Sequence, residues 1–277
     1  MTTPDRDDAT TAVAIGLVAY ILADLAHHMF GHAAACVGLG GQLQSLTSIH
    51  VACTVTGAAV DLAGPAANLI VGVGAWLLAI QVRTPRIRLF LLLSAAFNLL
   101  WLEGQLIFSA ATHQDDWDQL IQMLKPQDAM RWGLVIFGAL AYLATIRALG
   151  MSLRSYASPD PARLRRLMAL AYAAGCFAAV ATGLRDPGGA HALLYQAVPQ
   201  ALILPIGILF VRSKSTLPAA DPIRFNRGWM IVAGLLLAGS VIWLGPGISL
   251  ADRTRTSADA LVGPGRQADA VKVRLGP

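Results

Sequence analysis

Asp24, His28 and His32 follow one another at i, i+4 and i+8, and Cys36 continues the row. On a helix that spacing sets them on one face. Two imidazoles one turn apart can converge on a metal ion, and a carboxylate one turn earlier can hold the second nitrogen of the first imidazole. His28 and His32 are therefore the candidate ligands, and Asp24 is the residue expected to orient His28. His27 points off the shared face and reads as structural. Further along lie Asn68, Glu103, which is the only glutamate in the chain, and Asp116. Such a set suits a metal site, hydrogen bonding between helices or a proton or ion relay.

The elements that must position these groups are membrane helices. Of 277 residues, 56% are hydrophobic and 13% charged, and mean hydropathy is +0.58, too little polar surface for a soluble globule. Seven apolar stretches of about 20 residues each predict an all-α polytopic bundle, because a helix needs roughly 20 residues to cross ~30 Å of hydrocarbon. The predicted spans are 12–39, 62–82, 87–111, 131–150, 164–184, 191–212 and 228–246. The acidic segment 1–11 reads as a cytoplasmic tail, not a secretory signal, so the first span is expected to stay. Residues 12–130 form a three-span core, 131–247 a four-span region and 248–277 a polar tail.

Ionisable groups are expensive in hydrocarbon, and here they are unevenly placed. The interiors of spans four to seven hold no acidic residue, whereas the first span alone holds Asp24, His27, His28 and His32. Thirteen of the Lys and Arg residues fall at the N-terminus and in the loops after spans two, four and six, against three on the other side. That bias predicts a cytoplasmic N-terminus and an extracytoplasmic C-terminus in a cell membrane, bacterial by expectation. It also accounts for the net charge of +5 without a nucleic-acid-binding face. With this orientation His28, His32, Asn68, Glu103 and Asp116 share the outer leaflet. Two outer connections carry structure of their own: β-branched residues in 40–61 predict a short hairpin, and Trp117, Leu120, Ile121 and Leu124 predict an interfacial helix over 116–126. Cys36, Cys53 and Cys176 lack paired spacing, so neither a disulfide framework nor a thiolate zinc site is expected.

Three motifs resemble the site-2 protease family of intramembrane zinc metallopeptidases. Ala26-His27-His28-Met29-Phe30-Gly31-His32-Ala33 looks like the family's H-E-x-G-H-A helix, with His28 and His32 at the zinc-binding positions. Gly64-Pro65-Ala66-Ala67-Asn68-Leu69 matches G-P-x-x-N-L, whose asparagine helps to hold the substrate strand. Asn98-Leu99-Leu100 with Leu102-Glu103-Gly104-Gln105 is similar to the N-L-L and L-D-G motif of the third ligand, and Ser109, Thr112, Asp116 and Trp117 fit an S-G-x-T-x-x-G-D-W variant. The likeness covers roughly residues 12 to 120.

The resemblance implies zinc held by His28, His32 and either Asp116 or Glu103, a membrane-embedded peptide as substrate, and contact with it at Gly64, Pro65 and Asn68. Met29 stands where the family has its catalytic glutamate, and a thioether cannot carry a proton. Glu103 is then the candidate catalytic group and Asp116 the third ligand. Two further readings stay open: a pseudoprotease that binds a membrane protein without cleaving it, and a small transporter or channel that uses Asp24, His28 and Glu103.

Overall fold

The computed structural model describes residues 6–124, 126–158, 160–214, 216 and 218–249. The last residues of the expected polar tail, 250–277, and the first five of the N-terminal tail lie outside the described residues.

Among the described residues, seven helices are long and apolar enough to cross a membrane, the architecture of a multi-pass membrane protein. They are α1 (Ala9–Gly38), α2 (Ala58–Gln81), α3 (Pro85–Thr112), α5 (Gln127–Ser152), α6 (Pro161–Gly183), α7 (Gly189–Phe210) and α8 (Arg227–Leu244), with a short α4 (Asp118–Met123) between α3 and α5. Their starts are written in the sequence. Asp8 accepts from the Thr11 amide ahead of α1, Asp160 from Ala162 ahead of α6, and Asn226 from Trp229 ahead of α8, each satisfying an otherwise orphaned donor. Pro85 and Pro161 occupy first-turn positions, where a missing N–H costs nothing.

α1 is the centre of the bundle, packed against α3, α6 and α8, while α2 and α5 lie against α3. Buried residues from these helices and from α7 form one continuous apolar core, so the four later helices are not a separate body. Outward faces are apolar as well: Ile70, Ile80, Trp132, Phe137, Leu140 and Leu235 are all exposed, as expected of surfaces that meet lipid. On the side where α1 begins, Asp7 clamps the termini of several helices. It accepts two hydrogen bonds from Arg163 and one from the Ile223 amide.

At the other end, the expected hairpin forms. β1 (Leu43–Leu46) pairs antiparallel with β2 (Val51–Cys53), and β3 (Ile248–Ser249) adds to the opposite edge of β1, giving the order β2-β1-β3. The third strand was not legible, because two residues carry no period. Gly40, at φ 78°, turns the chain after α1 so that β2 folds back onto the helix end. There Cys36 and Cys53 form a disulfide, which corrects the expectation of unpaired cysteines: their sequence spacing carries no signal, and the turn creates their proximity. The interfacial helix is shorter than expected, because Leu124 is already extended and closes α4 ahead of Pro126.

Candidate metal centre

Within α1, residues Ala26–Ala33 are wound as a π-helix. Hydrogen bonds there run to the fifth residue, so each turn holds one residue more than in an α-helix. Groups at i and i+5 are brought together where i and i+4 would meet otherwise. The result is that His27 and His32 face each other, with their Nε2 atoms 3.1 Å apart.

Asp116 completes the group. Its Oδ2 lies 3.0 Å from His27 Nε2 and 3.1 Å from His32 Nε2, so three potential ligand atoms form a nearly equilateral triangle. The segment that carries Asp116 over the cluster is tightly bent: His113 and Asp115 have φ of 60° and 74°. This left-handed backbone is uncommon for residues other than glycine and costs of order 1 kcal/mol or more each. Gln105, fully buried on α3, donates from Nε2 to Asp116 Oδ2 at 2.8 Å.

Each imidazole is held from behind. His32 Nδ1 lies 2.8 Å from the Val60 carbonyl, which can only accept, so Nδ1 carries a proton; in the neutral ring Nε2 then presents a lone pair to the triangle. His27 stacks on Trp101, with centroids 5.1 Å apart and planes at 17°. Its Nδ1 lies 3.2 Å from the Asn68 carboxamide, whose Oδ1 is buried without a partner. A half-turn of that amide lets Oδ1 accept from Nδ1–H, which frees His27 Nε2 as a ligand as well. Gly64 makes room for both rings, since a side chain there would run into the imidazoles of His27 and His32.

This donor set passes a physical test for a cation. A bare nitrogen lone pair 3.1 Å from a carboxylate oxygen is repulsive unless a proton or a positive ion lies between them. Two imidazole nitrogens and one carboxylate oxygen are also what zinc takes in open sites, and ligand atoms about 2.0–2.2 Å from one ion can stand at such mutual distances.

The structure corrects the sequence reading at several residues. His28, expected as a ligand, is outside the triangle. Its Nδ1 lies 3.2 Å from Asp24 Oδ1, while the extra residue in the π-turn brings His27 rather than His28 to face His32. Glu103, expected to be catalytic, lies on the opposite side of α3 from Gln105. It accepts from Thr145 Oγ1 of α5 at 2.6 Å and does not line the pocket. Gly64, Pro65 and Asn68 do not line it either; Gly64 and Asn68 position histidines instead. Met29 is turned outward and 44% exposed, and it does not line the pocket. Counted from His27, the next residue is His28.

A cavity of about 250 Å³ opens over the cluster, lined by His27, His28, His32, Asp61 and Asp116 on one side and by residues of α7 and the hairpin on the other. His50 of the hairpin lines it too. Burial lowers the pKa of His50, and the nearby His28 pushes the same way. The sequence assigns no role to Gln105 or Trp101 and reads His27 as structural. A usable signal for His27 did exist, since three histidines within six residues allow an i, i+5 pair as soon as the helix carries a bulge. Compared with family models, curated proteins and solved structures, the chain matches none.

Proposed function

We propose that this chain is a multi-pass membrane metallopeptidase of the site-2 type, which holds zinc through His27, His32 and Asp116 and hydrolyses a membrane-embedded peptide. The observation that carries the reading is the buried triangle of three ligand atoms at 3.0 to 3.1 Å, beside a cavity and with both imidazoles held from behind. Zinc, when bound, supplies a Lewis acid for the scissile carbonyl and for water. His28 takes the role of proton carrier. It follows the first ligand directly, as the glutamate does in H-E-x-x-H, and Asp24 engages its Nδ1 so that Nε2 is the nitrogen left to accept a proton from water and return it to the leaving amine. Asp24 fixes the ring and stabilises the imidazolium.

The Cys36–Cys53 disulfide supports an outward-facing site, because such bonds persist in oxidising compartments, and the distribution of Lys and Arg supports the same orientation. One alternative keeps the metal and the peptide but not the cleavage. It is favoured by the absence of any glutamate among the residues lining the cavity.

Metal analysis of the purified protein tests the reading. One zinc per chain is expected, lost in His27→Ala and His32→Ala and retained in His28→Ala, which should lose cleavage of a model transmembrane substrate. The same donor set suits Fe(II), so the element found decides the cofactor. Absence of any stoichiometric metal would eliminate the proposal, and cleavage undiminished in His28→Ala would eliminate the proton carrier.

A further inference from the structure

The metal cluster belongs to α1, α2 and the segment after α3, yet part of the cavity wall is α7, a helix with no counterpart in the resemblance. α7 is interrupted where it meets the cavity. Leu193–Ala197 and Pro199–Ile203 are π-helical, and the remainder to Phe210 is a 3-10 helix. Pro199 has no N–H, so an α-helical bond to the Tyr195 carbonyl cannot form. Regular helix is what a lipid-crossing segment otherwise demands, and π-turns recur at functional sites.

The side chains at the interruption are also out of character. Within an apolar segment, Gln196 and Gln200 are carboxamides four residues apart, and both line the cavity. Gln200 makes one long hydrogen bond, from Nε2 to the Ile49 carbonyl of the hairpin at 3.4 Å. Among the described residues Gln196 has no hydrogen-bond partner. Gln196 is exposed and Gln200 half-buried, so both amides keep hydrogen-bonding capacity for a group that enters the cavity. A carboxamide offers an N–H donor and a C=O acceptor together, the complement of a peptide unit. Gln196 and His50 also line a second cavity of about 400 Å³ beside the hairpin, together with Asp186 and His191, so the amides stand where a polar approach meets the metal cluster.

Resting on the metallopeptidase reading, we propose that the interrupted part of α7 is the substrate-reading wall of the site: Gln196 and Gln200 hydrogen-bond the backbone amides of a peptide held at the metal cluster. Recognition of this kind is indifferent to side-chain identity and needs an unfolded stretch, since helical amides are already paired.

Two zinc-binding probes separate this claim from the metal site itself. Acetohydroxamate reaches the metal alone, whereas benzyloxycarbonyl-Leu-Leu hydroxamate adds peptide units. Affinities are measured calorimetrically on the zinc-loaded full chain in detergent, with zinc content and melting recorded for each variant. Gln196→Leu and Gln200→Leu should each weaken the peptidyl hydroxamate about five- to tenfold while leaving acetohydroxamate and zinc content unchanged. Gln196→Leu is the cleaner variant, because Gln196 holds no other element in place. Peptidyl affinity unchanged in both variants, or an equal loss for both probes, overturns the proposal. A wild-type chain that holds zinc but binds neither probe overturns it too and leaves the metal site standing. A chain without zinc removes both readings.

Discussion

α1 and α5 are equally apolar, with window hydropathies of 1.8, but they use that character in opposite ways. The most apolar stretch of α1 is 72% buried inside the protein and that of α5 only 22%. α3, at 72%, resembles α1, while α8, at 17%, resembles α5. Hydropathy therefore tells which segments enter the membrane and not which are enclosed by protein. The polar residues tell the second thing. Asp24, His27, His28 and His32 lie on the enclosed α1, and Asn98, Gln105 and Ser109 are fully buried on the enclosed α3. A charged or hydrogen-bonding group tolerates membrane depth where partners surround it, as they do for these residues of the enclosed pair.

The largest test of that contrast lies inside α1, between adjacent histidines. On the proposed reading, replacing His27 with Ala removes a zinc ligand and should lower zinc affinity by at least two orders of magnitude, as should His32→Ala or Asp116→Ala. His28→Ala should cost less than about tenfold, the scale of an outer-shell group at its weaker end. Competition with a chelator of known affinity measures both. Equal losses for His27→Ala and His28→Ala would mean that the helix is α-helical there and that the i, i+4 pair is the true one.

A second test concerns the link between the enclosed core and the hairpin above it. The Cys36–Cys53 disulfide spans 17 residues, and closing a loop of that length contributes about 3 kcal/mol by restricting the unfolded chain. The double variant Cys36→Ser, Cys53→Ser should melt at a clearly lower temperature in detergent and still hold zinc, because neither cysteine lines the cavity. Wild type treated with reductant should match it. Zinc lost in proportion to stability would show instead that the hairpin, not the helices, sets the site.

Much of this was legible beforehand and some of it could not be. Seven apolar runs give seven helices, since the cost of unpaired backbone in lipid leaves no other element. The same reasoning gathers His28, His32, Asn68, Glu103 and Asp116 at one depth; the structure joins His32, Asn68 and Asp116 through His27, keeps His28 beside them and leaves Glu103 against Thr145. Which histidine faces His32 and Asp116 was not legible, because a π-turn is a single added residue that shifts the register of everything after it without altering composition. The side of α3 that matters was not legible either: Glu103 is the more conspicuous residue, but rotation of the helix gives the cluster to Gln105. Two further groups, Trp101 and the Val60 carbonyl, act by stacking and by backbone geometry, and their residue types do not announce this.

Groups behind the ligands give smaller effects. Asn68→Ala and Gln105→Leu should each weaken zinc about 10- to 100-fold, since each orients a ligand without touching the ion. The two should not be additive if the triangle loosens as a unit. Asn68→Asp is informative beside them: a carboxylate accepts from His27 Nδ1–H as the rotated amide does, so affinity should largely return. Failure to recover would assign Asn68 to packing.

The smallest expected effect is the most pointed for the comparison between the two sides of α3. Glu103 and Gln105 are two residues apart, so the helix turns them to different neighbours, one to Thr145 of α5 and the other to Asp116. Glu103→Gln preserves shape and a hydrogen-bonding end, and Thr145 Oγ1 still finds a carbonyl oxygen to donate to. Zinc content and peptide cleavage should therefore stay within about twofold of wild type. If Glu103 instead relayed protons with Asp24 and His28, the same variant would abolish a proton flux measured in liposomes while zinc stayed in place. That outcome would move the working site from the α1–α2 face of α3 to its α5 face and replace a hydrolase by a transporter.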